Sequence, residues 1–320
     1  MTRIINFVQL IRIKNISIIL LIQLLIKFFL INIFLDEYTL NNYNFILYLF
    51  SLLLIVSAGY IINDIYDLTA DKINKPKKII VEEKIKKRTL YNIYISFNII
   101  ALTLILYVGF TIKKPLFSLI YLYMIISLWR YSKRNKYKFL IGNIQVALLT
   151  SLSIVNLIIF DLIPVGIIKD NGSLMISKII IIYALFAFIT TFIREIIKDI
   201  EDIRGDIEMN SNTIPIKLGV KKTKYIAIFI IFLIISFIGY FQYFQYSILR
   251  SVFEYEITIW GVNNYAVLYI SLIQFLLIVI GIKTYYAKKK SDFYFISMLI
   301  KIIMTIGILS IPLFTFLHIK

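Results

Sequence analysis

Residues 45–62, FILYLFSLLLIVSAGYII, run without a charge straight into Asn63-Asp64-Ile65-Tyr66-Asp67-Leu68-Thr69-Ala70-Asp71. The first part is close to the ~20 apolar residues that a helix needs to cross a bilayer. The second part begins where the hydrocarbon ends. Asn63, Asp67 and Asp71 recur every four residues, so a helix that continues past Ile62 carries all three on one stripe. Asn63 offers a carbonyl oxygen and the aspartates offer charge, while Asp64 lies one position off the stripe. Pro76 stops the helix, and Asn74-Lys75-Pro76-Lys77-Lys78 opens a basic loop.

A second acidic run reads Arg194-Glu195-Ile196-Ile197-Lys198-Asp199-Ile200-Glu201-Asp202-Ile203-Arg204-Gly205-Asp206. Asp199, Asp202 and Asp206 are spaced three and four, again one helical stripe, and Glu195 extends it by another turn. Glu201 falls on a different face, and Arg194 with Lys198 makes a neighbouring basic stripe. Thr213, Pro215 and Gly219 then carry the chain through a turn.

The composition agrees with a membrane setting. Of the 320 residues 60% are hydrophobic, against about 45–50% in a soluble domain, and the mean hydropathy is +0.86. Cysteine is absent and the one histidine is His318, so disulfides, thiolate or histidine-rich metal sites and Ser-His-Asp catalysis lack material. The net charge of +17 does not indicate nucleic acid, because the basic residues sit in short loops between apolar spans rather than on one soluble face.

Nine apolar stretches are long enough to be read as spans: 15–35, 45–62, 91–112, 115–129, 140–160, 176–193, 225–243, 265–285 and 293–317, the fourth being the shortest. The runs are continuous rather than alternating, which excludes a membrane barrel. The expected fold is therefore all-α and integral to the membrane, with nine transmembrane helices in a single bundle and one domain over residues 1–320. The first span is too long, and lacks a small-x-small site after it, to be a cleaved signal peptide. Lysine and arginine crowd the N-terminal leader and the loops after spans two, four, six and eight. The loops 36–44 and 244–264 are poor in them, the latter holding Arg250, Glu254 and Glu256. The positive-inside rule then places the N-terminus and both acidic runs on the cytoplasmic side of the cell membrane. Lys27 and Lys301 are ionisable residues within spans, expected to snorkel. Membrane-embedded acids of the kind an ion-coupled transporter uses are scarce.

Carboxylates this close repel unless a cation holds them. Mg²⁺ takes oxygen ligands and shares them with substrate phosphates, so two facing stripes suit a diphosphate bridged by Mg²⁺. Lys75, Lys78, Lys133, Arg194 and Lys198 are candidates to balance the remaining phosphate charge. A divalent-cation or lipid-phosphate transporter, with the stripes as a vestibule, is the non-enzymatic alternative.

Asn63-Asp64-x-x-Asp67-x-x-x-Asp71 resembles the first aspartate-rich motif of the UbiA-type intramembrane prenyltransferases, and Asp199-x-x-Asp202-x-x-x-Asp206 is similar to their second. Gly59, Asn74-Lys75-Pro76, Tyr131-Ser132-Lys133-Arg134, Gly142-Asn143 and Thr213-x-Pro215-x-x-Leu218-Gly219 also match that family's pattern. The resemblance implies a helical bundle with a central lipid-accessible cavity. It implies Mg²⁺-dependent transfer of a polyprenyl group from its diphosphate, through an allylic carbocation, to a lipophilic acceptor. Asn63, Asp67, Asp71, Asp199, Asp202 and Asp206 would hold the metal. Asp67, Asp71, Asp202 and Asp206 would be catalytic, and Asn15 and Tyr131 would join the basic candidates around the substrates. The string from Arg194 to Asp202 is similar to the ether-lipid branch, the geranylgeranylglycerol-phosphate geranylgeranyltransferases, whose acceptor is a prenylated glycerol phosphate. The stretch after Pro76 and the segment Arg12-Ile13-Lys14-Asn15 depart from the family's pattern and keep an aromatic quinone precursor such as dihydroxynaphthoate as the alternative acceptor. Membrane lipids are the expected surroundings, with no obligate protein partner and no nucleic acid.

Overall fold

The structure is a computed structural model that describes residues 2–74, 76, 80–166, 171–244 and 263–319. Among the described residues the chain is helical and has no β-strand beyond a single bridge between Val81 and Ile85. The order is α1 Thr2–Leu10, α2 Ile13–Phe34, α3 Asn42–Tyr66, α4 Leu68–Asn74, α5 Lys87–Thr111, α6 Leu119–Lys133, α7 Ile141–Leu162, α8 Asn171–Glu201, α9 Ile203–Glu208, α10 Ile214–Leu218, α11 Val220–Phe244, α12 Asn264–Tyr286 and α13 Lys290–Ile319. Lys75 and Lys78, and the loop carrying Arg250, Glu254 and Glu256, lie outside the described residues.

Eight of these helices, α2, α3, α5, α7, α8, α11, α12 and α13, are long and apolar enough to cross a membrane. The chain is an integral, multi-pass membrane protein. The ninth expected span corresponds to α6, which has 15 residues and so reaches only ~22 Å against a hydrocarbon core of ~30 Å. A 3₁₀ turn, Pro115–Ser118, precedes it. The count of nine thus becomes eight full spans and one short helix among the described residues. The tight turn before α6 carries Lys113 and Lys114. The loop between the third and fourth expected spans is thus not free of basic residues.

The helices gather into two compact units. One comprises Met1–Phe188 with Asp202–Thr213, the other Ile189–Glu201 with Ile214–Lys320. In the first, α3 packs against α5 and α6. Gly59 allows the close approach of α6, since a Cβ there would stand 2.9 Å from Leu128 Cδ1. Polar side chains join helices where lipid offers no competing water: Gln23 donates to the Ser153 carbonyl at 2.7 Å, and Ser51 to the Ala101 carbonyl at 2.7 Å. A layer of rings packs beside them, Phe45 stacked on Tyr48, Tyr121 edge-on to Tyr48 and Phe160, and Tyr48 tilted against Phe160. In the second unit, α11 packs against α12 and α12 against α13. The Lys224 ammonium donates to the carbonyls of Tyr285 and Ala287, closing the C-terminal end of α12.

Lys27 does not snorkel. Its side chain is fully buried in a π-helical stretch of α2, Ile26–Ile31, and is ion-paired at 2.7 Å with Asp161, equally buried in a π-helical stretch of α7, Ile158–Leu162. Lys27 also donates to the Leu40 carbonyl, and Asp161 accepts from the Leu40 amide, each at 2.7 Å. The Tyr38 ring covers the ammonium, 3.9 Å from the centroid. The pair ties the segment between α2 and α3 to α7, and it explains why an acid is tolerated within a span: its charge is neutralised and its oxygens are occupied. Removing one partner strands a buried charge, whereas removing both does not. Asp161→Asn or Lys27→Met is therefore expected to lower stability by about 3–5 kcal/mol in a denaturation titration in detergent. The double variant Lys27→Met/Asp161→Leu is expected to recover most of that loss.

Candidate active site

The first acidic stripe survives a break in its helix. α3 ends at Tyr66, Asp67 occupies a bend at φ −84° and ψ −1°, and α4 resumes at Leu68. The hydrogen-bond ladder nevertheless continues, from the Asp67 amide to the Asn63 carbonyl at 2.9 Å and from the Asp71 amide to the Asp67 carbonyl at 2.8 Å. Asn63, Asp67 and Asp71 therefore keep their four-residue spacing. The Asn63 amide nitrogen donates to Asp67 Oδ2 at 2.7 Å, which leaves its own Oδ1, buried and without a hydrogen-bond partner, beside the carboxylate.

The second stripe is interrupted. α8 ends at Glu201, Asp202 forms the bend, and α9 begins at Ile203. Asp202 and Asp206 remain coupled, the Asp206 amide donating to the Asp202 carbonyl at 3.2 Å. They belong to the first unit, together with Asn63, Asp67 and Asp71. Arg194, Glu195, Lys198 and Asp199 belong to the second unit, so the four-residue stripe expected from sequence is not one continuous helix face. Glu195 is buried and is gripped by Arg194 at 2.6 Å and Lys198 at 3.4 Å. Its carboxylate is thus paired with those two cations, while it stays one turn before Asp199 on α8.

Within the first unit the two acidic segments touch. The Asn74 side chain, at the end of α4, donates to the Asp202 carbonyl at 2.9 Å and accepts from the Gly205 amide at 3.1 Å. Gly205 has no room for a larger residue, because a Cβ would lie 2.9 Å from the Ala70 carbonyl oxygen and against the Asn74 amide. A third segment, between α6 and α7, closes on both. Lys136 forms an ion pair with Asp67 and is nine-tenths buried, and the Tyr137 carbonyl accepts from the Asn212 amide at 2.7 Å. Burial, with Asp206 and then Asp71 adding to it, pushes the Tyr137 phenol up to about 12, so it stays protonated and can donate. The position of this segment depends on Gly142, where a Cβ would stand 2.7 Å from Lys136 Cα and 2.9 Å from the Asn135 carbonyl. Asn135 is in turn held by Gln145, which also reaches back to Ser127 in α6.

The off-stripe acid has its own partner. Arg12 adopts a left-handed conformation, φ 54° and ψ 55°, which separates α1 from α2. Its guanidinium meets Asp64 at 2.7 Å and lies over the Tyr60 ring. Loss of water opposes the Arg12 charge, but Asp64 and Tyr60 outweigh that loss and raise its pKa. Asn15, a candidate substrate ligand, donates to the Tyr60 hydroxyl at 3.0 Å. Lys133 turns over the Trp129 ring, 4.7 Å from its centroid, while Tyr131 is half-buried near the end of α6. Lys136, Tyr137 and the pairing of Arg12 with Asp64 were not legible as site features, because they sit in a 3₁₀ turn and at a helix joint where no periodicity marks a face.

A model of the UbiA prenyltransferase family matches residues 25–299. The chain belongs to that family. Among relatives of this UbiA-family chain, the digeranylgeranylglyceryl phosphate synthase of Methanosphaera stadtmanae is 35% identical over 190 residues, 59% of this chain and 63% of that protein. The synthase of the same name from Sulfurisphaera tokodaii is 28% identical over 225 residues, 70% of this chain and 73% of that protein. The aligned stretch is thus less than two thirds of the Methanosphaera relative's length. A solved digeranylgeranylglyceryl phosphate synthase shares the fold at a TM-score of 0.59 and 22% identity, covering 98% of this chain and 99% of that one. A UbiA homologue from Archaeoglobus fulgidus, bound to GPP and Mg²⁺, does so at a TM-score of 0.56 and 14% identity, covering 96% and 99%.

Gly142 is the position where the packing of the site leaves least freedom, since the neighbouring atoms are backbone and cannot rotate away. Gly142→Ala is expected to cost about 1–3 kcal/mol by overpacking. Gly239→Ala, where a Cβ would meet only the end of the Gln274 side chain at 3.4 Å, is expected to cost less. Unfolding midpoints in detergent distinguish the two.

Proposed function

We propose that this UbiA-family protein transfers a polyprenyl group, of geranylgeranyl type, from its diphosphate to a prenylated glycerol phosphate, using Mg²⁺. The observation that carries the reading is the junction of the two acidic helix ends by Asn74, with the Lys136 ammonium set on Asp67 beside them. The names of the archaeal relatives support the acceptor, and the GPP and Mg²⁺ bound by the Archaeoglobus homologue support the donor.

The side chains fit the metal by chemistry. Among the described residues no group of three or more carboxylates or histidines stands close enough to hold an ion by itself. Mg²⁺ usually takes one or two carboxylates and completes its shell with water and substrate phosphate. Asn63 Oδ1, buried beside Asp67 and without a hydrogen-bond partner, is an oxygen that could ligate a cation. Asn63, Asp67 and Asp71 would hold one face of the metal–diphosphate and Asp202 and Asp206 the other, with Asp199 a further candidate. When bound, Mg²⁺ neutralises the leaving diphosphate and weakens its bond to carbon. Lys136, paired with Asp67 in the structure, would be at hand to balance a phosphate oxygen. Tyr137, kept neutral, donates a hydrogen bond to the same anion. The acceptor hydroxyl then bonds to the prenyl C1 as the carbon–oxygen bond to diphosphate breaks, and its proton is released. The positive-inside rule supports a cytoplasmic placement of this site and the N-terminus at the cell membrane, and residues 1–320 are read as one prenyltransferase domain.

Purified protein in detergent, given labelled geranylgeranyl diphosphate, geranylgeranylglyceryl phosphate and Mg²⁺, is expected to form a doubly prenylated lipid, identified by mass spectrometry. EDTA abolishes the product and Mg²⁺ restores it. Asp67→Asn and Asp202→Asn each lower the rate by about 100-fold or more, while the exposed Glu83→Gln leaves it unchanged. Full activity in both aspartate variants overturns the assignment. Product formed only with dihydroxynaphthoate transfers it to quinone prenylation.

A further inference from the structure

The second acidic segment contains a helix that is capped by the wrong residue. The first N–H groups of any helix have no partner within it, and the residue at the N-cap normally turns its side chain back to accept from the second or third of them. Aspartate is among the residues best suited to this. Asp202 occupies the N-cap position of α9, yet its side chain makes no capping hydrogen bond. The N–H of Gly205, third in the helix, donates instead to Asn74 Oδ1, a side chain from the end of the other acidic segment. The same amide group donates through its nitrogen to the Asp202 carbonyl. The absence of a side chain at residue 205 permits the approach.

We infer that Asn74 is a positioning residue which caps α9 in place of Asp202, so that the Asp202 side chain is not drawn into capping its own helix and can serve the cation and diphosphate. The inference rests on the prenyl-diphosphate reading above. One planar amide satisfies a donor and an acceptor of the bend while fixing the register of α4 against α9. Without it, the Gly205 N–H lacks its acceptor, and the N-cap residue Asp202 is the one whose side chain ordinarily takes that role. Taking it up restores the helix cap and withdraws an oxygen from the site. The loss of Asn74 therefore falls on metal binding more than on folding, the opposite of what loss of a merely structural cap does.

The test uses the full-length protein in detergent, with Mn²⁺ as the magnetic probe for the cation and a non-reacting thio analogue of geranylgeranyl diphosphate. Free and bound Mn²⁺ are read by electron paramagnetic resonance, so no turnover is needed. Asn74→Ala is expected to weaken Mn²⁺ uptake about tenfold, equivalent to about 1.4 kcal/mol, while the metal-free melting temperature stays near that of the parent. Gly205→Ala, whose Cβ meets both the Asn74 amide and the Ala70 carbonyl, is expected to do the same with some loss of stability, and Asn74→Leu, which keeps the side-chain bulk without its polar atoms, serves if neither folds. Because Asn74 acts through Asp202, adding Asn74→Ala to Asp202→Asn is expected to produce no further loss. Unchanged Mn²⁺ affinity in folded Asn74→Ala or Gly205→Ala protein overturns the inference alone, as do additive losses in the double variant. A parent protein that takes up no Mn²⁺ with the analogue overturns the diphosphate reading on which it stands.

Discussion

Like charges crowd the ends of two helices here, and the surrounding chain is arranged to offset their repulsion. Asp67 is met by Lys136, Asp64 by Arg12, and the bend at Asp202 by the neutral amide of Asn74. Each counter-group arrives from a different segment: the turn between α6 and α7, the joint between α1 and α2, and the end of α4. Each needs a local conformation that regular helix does not supply, which is why a left-handed arginine at 12 and close-packed glycines at 142 and 205 appear at these places. One aspartate of the first stripe already has a cation from the chain itself, the buried Lys136 ammonium.

Periodicity exposed much of this in the sequence. The long apolar runs gave the spans, and the four-residue spacing of Asn63, Asp67 and Asp71 gave a stripe that holds even across the bend at Asp67. Periodicity failed where the helix itself changes. The second stripe looked continuous from Glu195 to Asp206, but the bend at Asp202 divides it, and Glu195 is committed to Arg194 and Lys198. Lys136 was counted only as loop charge, since a single lysine in a 3₁₀ turn has no pattern to place it. Asn15 and Lys133 matched a family pattern or a charge requirement, yet their side chains are engaged by Tyr60 and Trp129. Contacts between segments far apart along the chain are not encoded in local spacing, and those contacts are what assemble the site.

The pairing of Lys27 with Asp161 belongs to the same class of feature. From sequence, Lys27 was an isolated cation free to reach the interface. In the folded chain it neutralises the acid that would otherwise have argued for ion transport. A fully paired, fully hydrogen-bonded charge does not offer a step along a conduction path. The membrane-embedded pair of Lys27 and Asp161 thus serves cohesion.

Both members of that pair lie in stretches of wide helix, Ile26–Ile31 and Ile158–Leu162. A wide turn takes in about one residue more than an α-turn, so side chains beyond it are rotated by roughly 100° from the phase of the helix before it. The lipid-facing and inward-facing positions of α2 and α7 are consequently re-indexed part-way across the bilayer. A hydrophobic wheel drawn with one phase for the whole segment must misassign one half. Such a turn also lets a membrane helix absorb a single-residue insertion while its carbonyls remain bonded, a change in length that no exposed loop could accommodate at that depth.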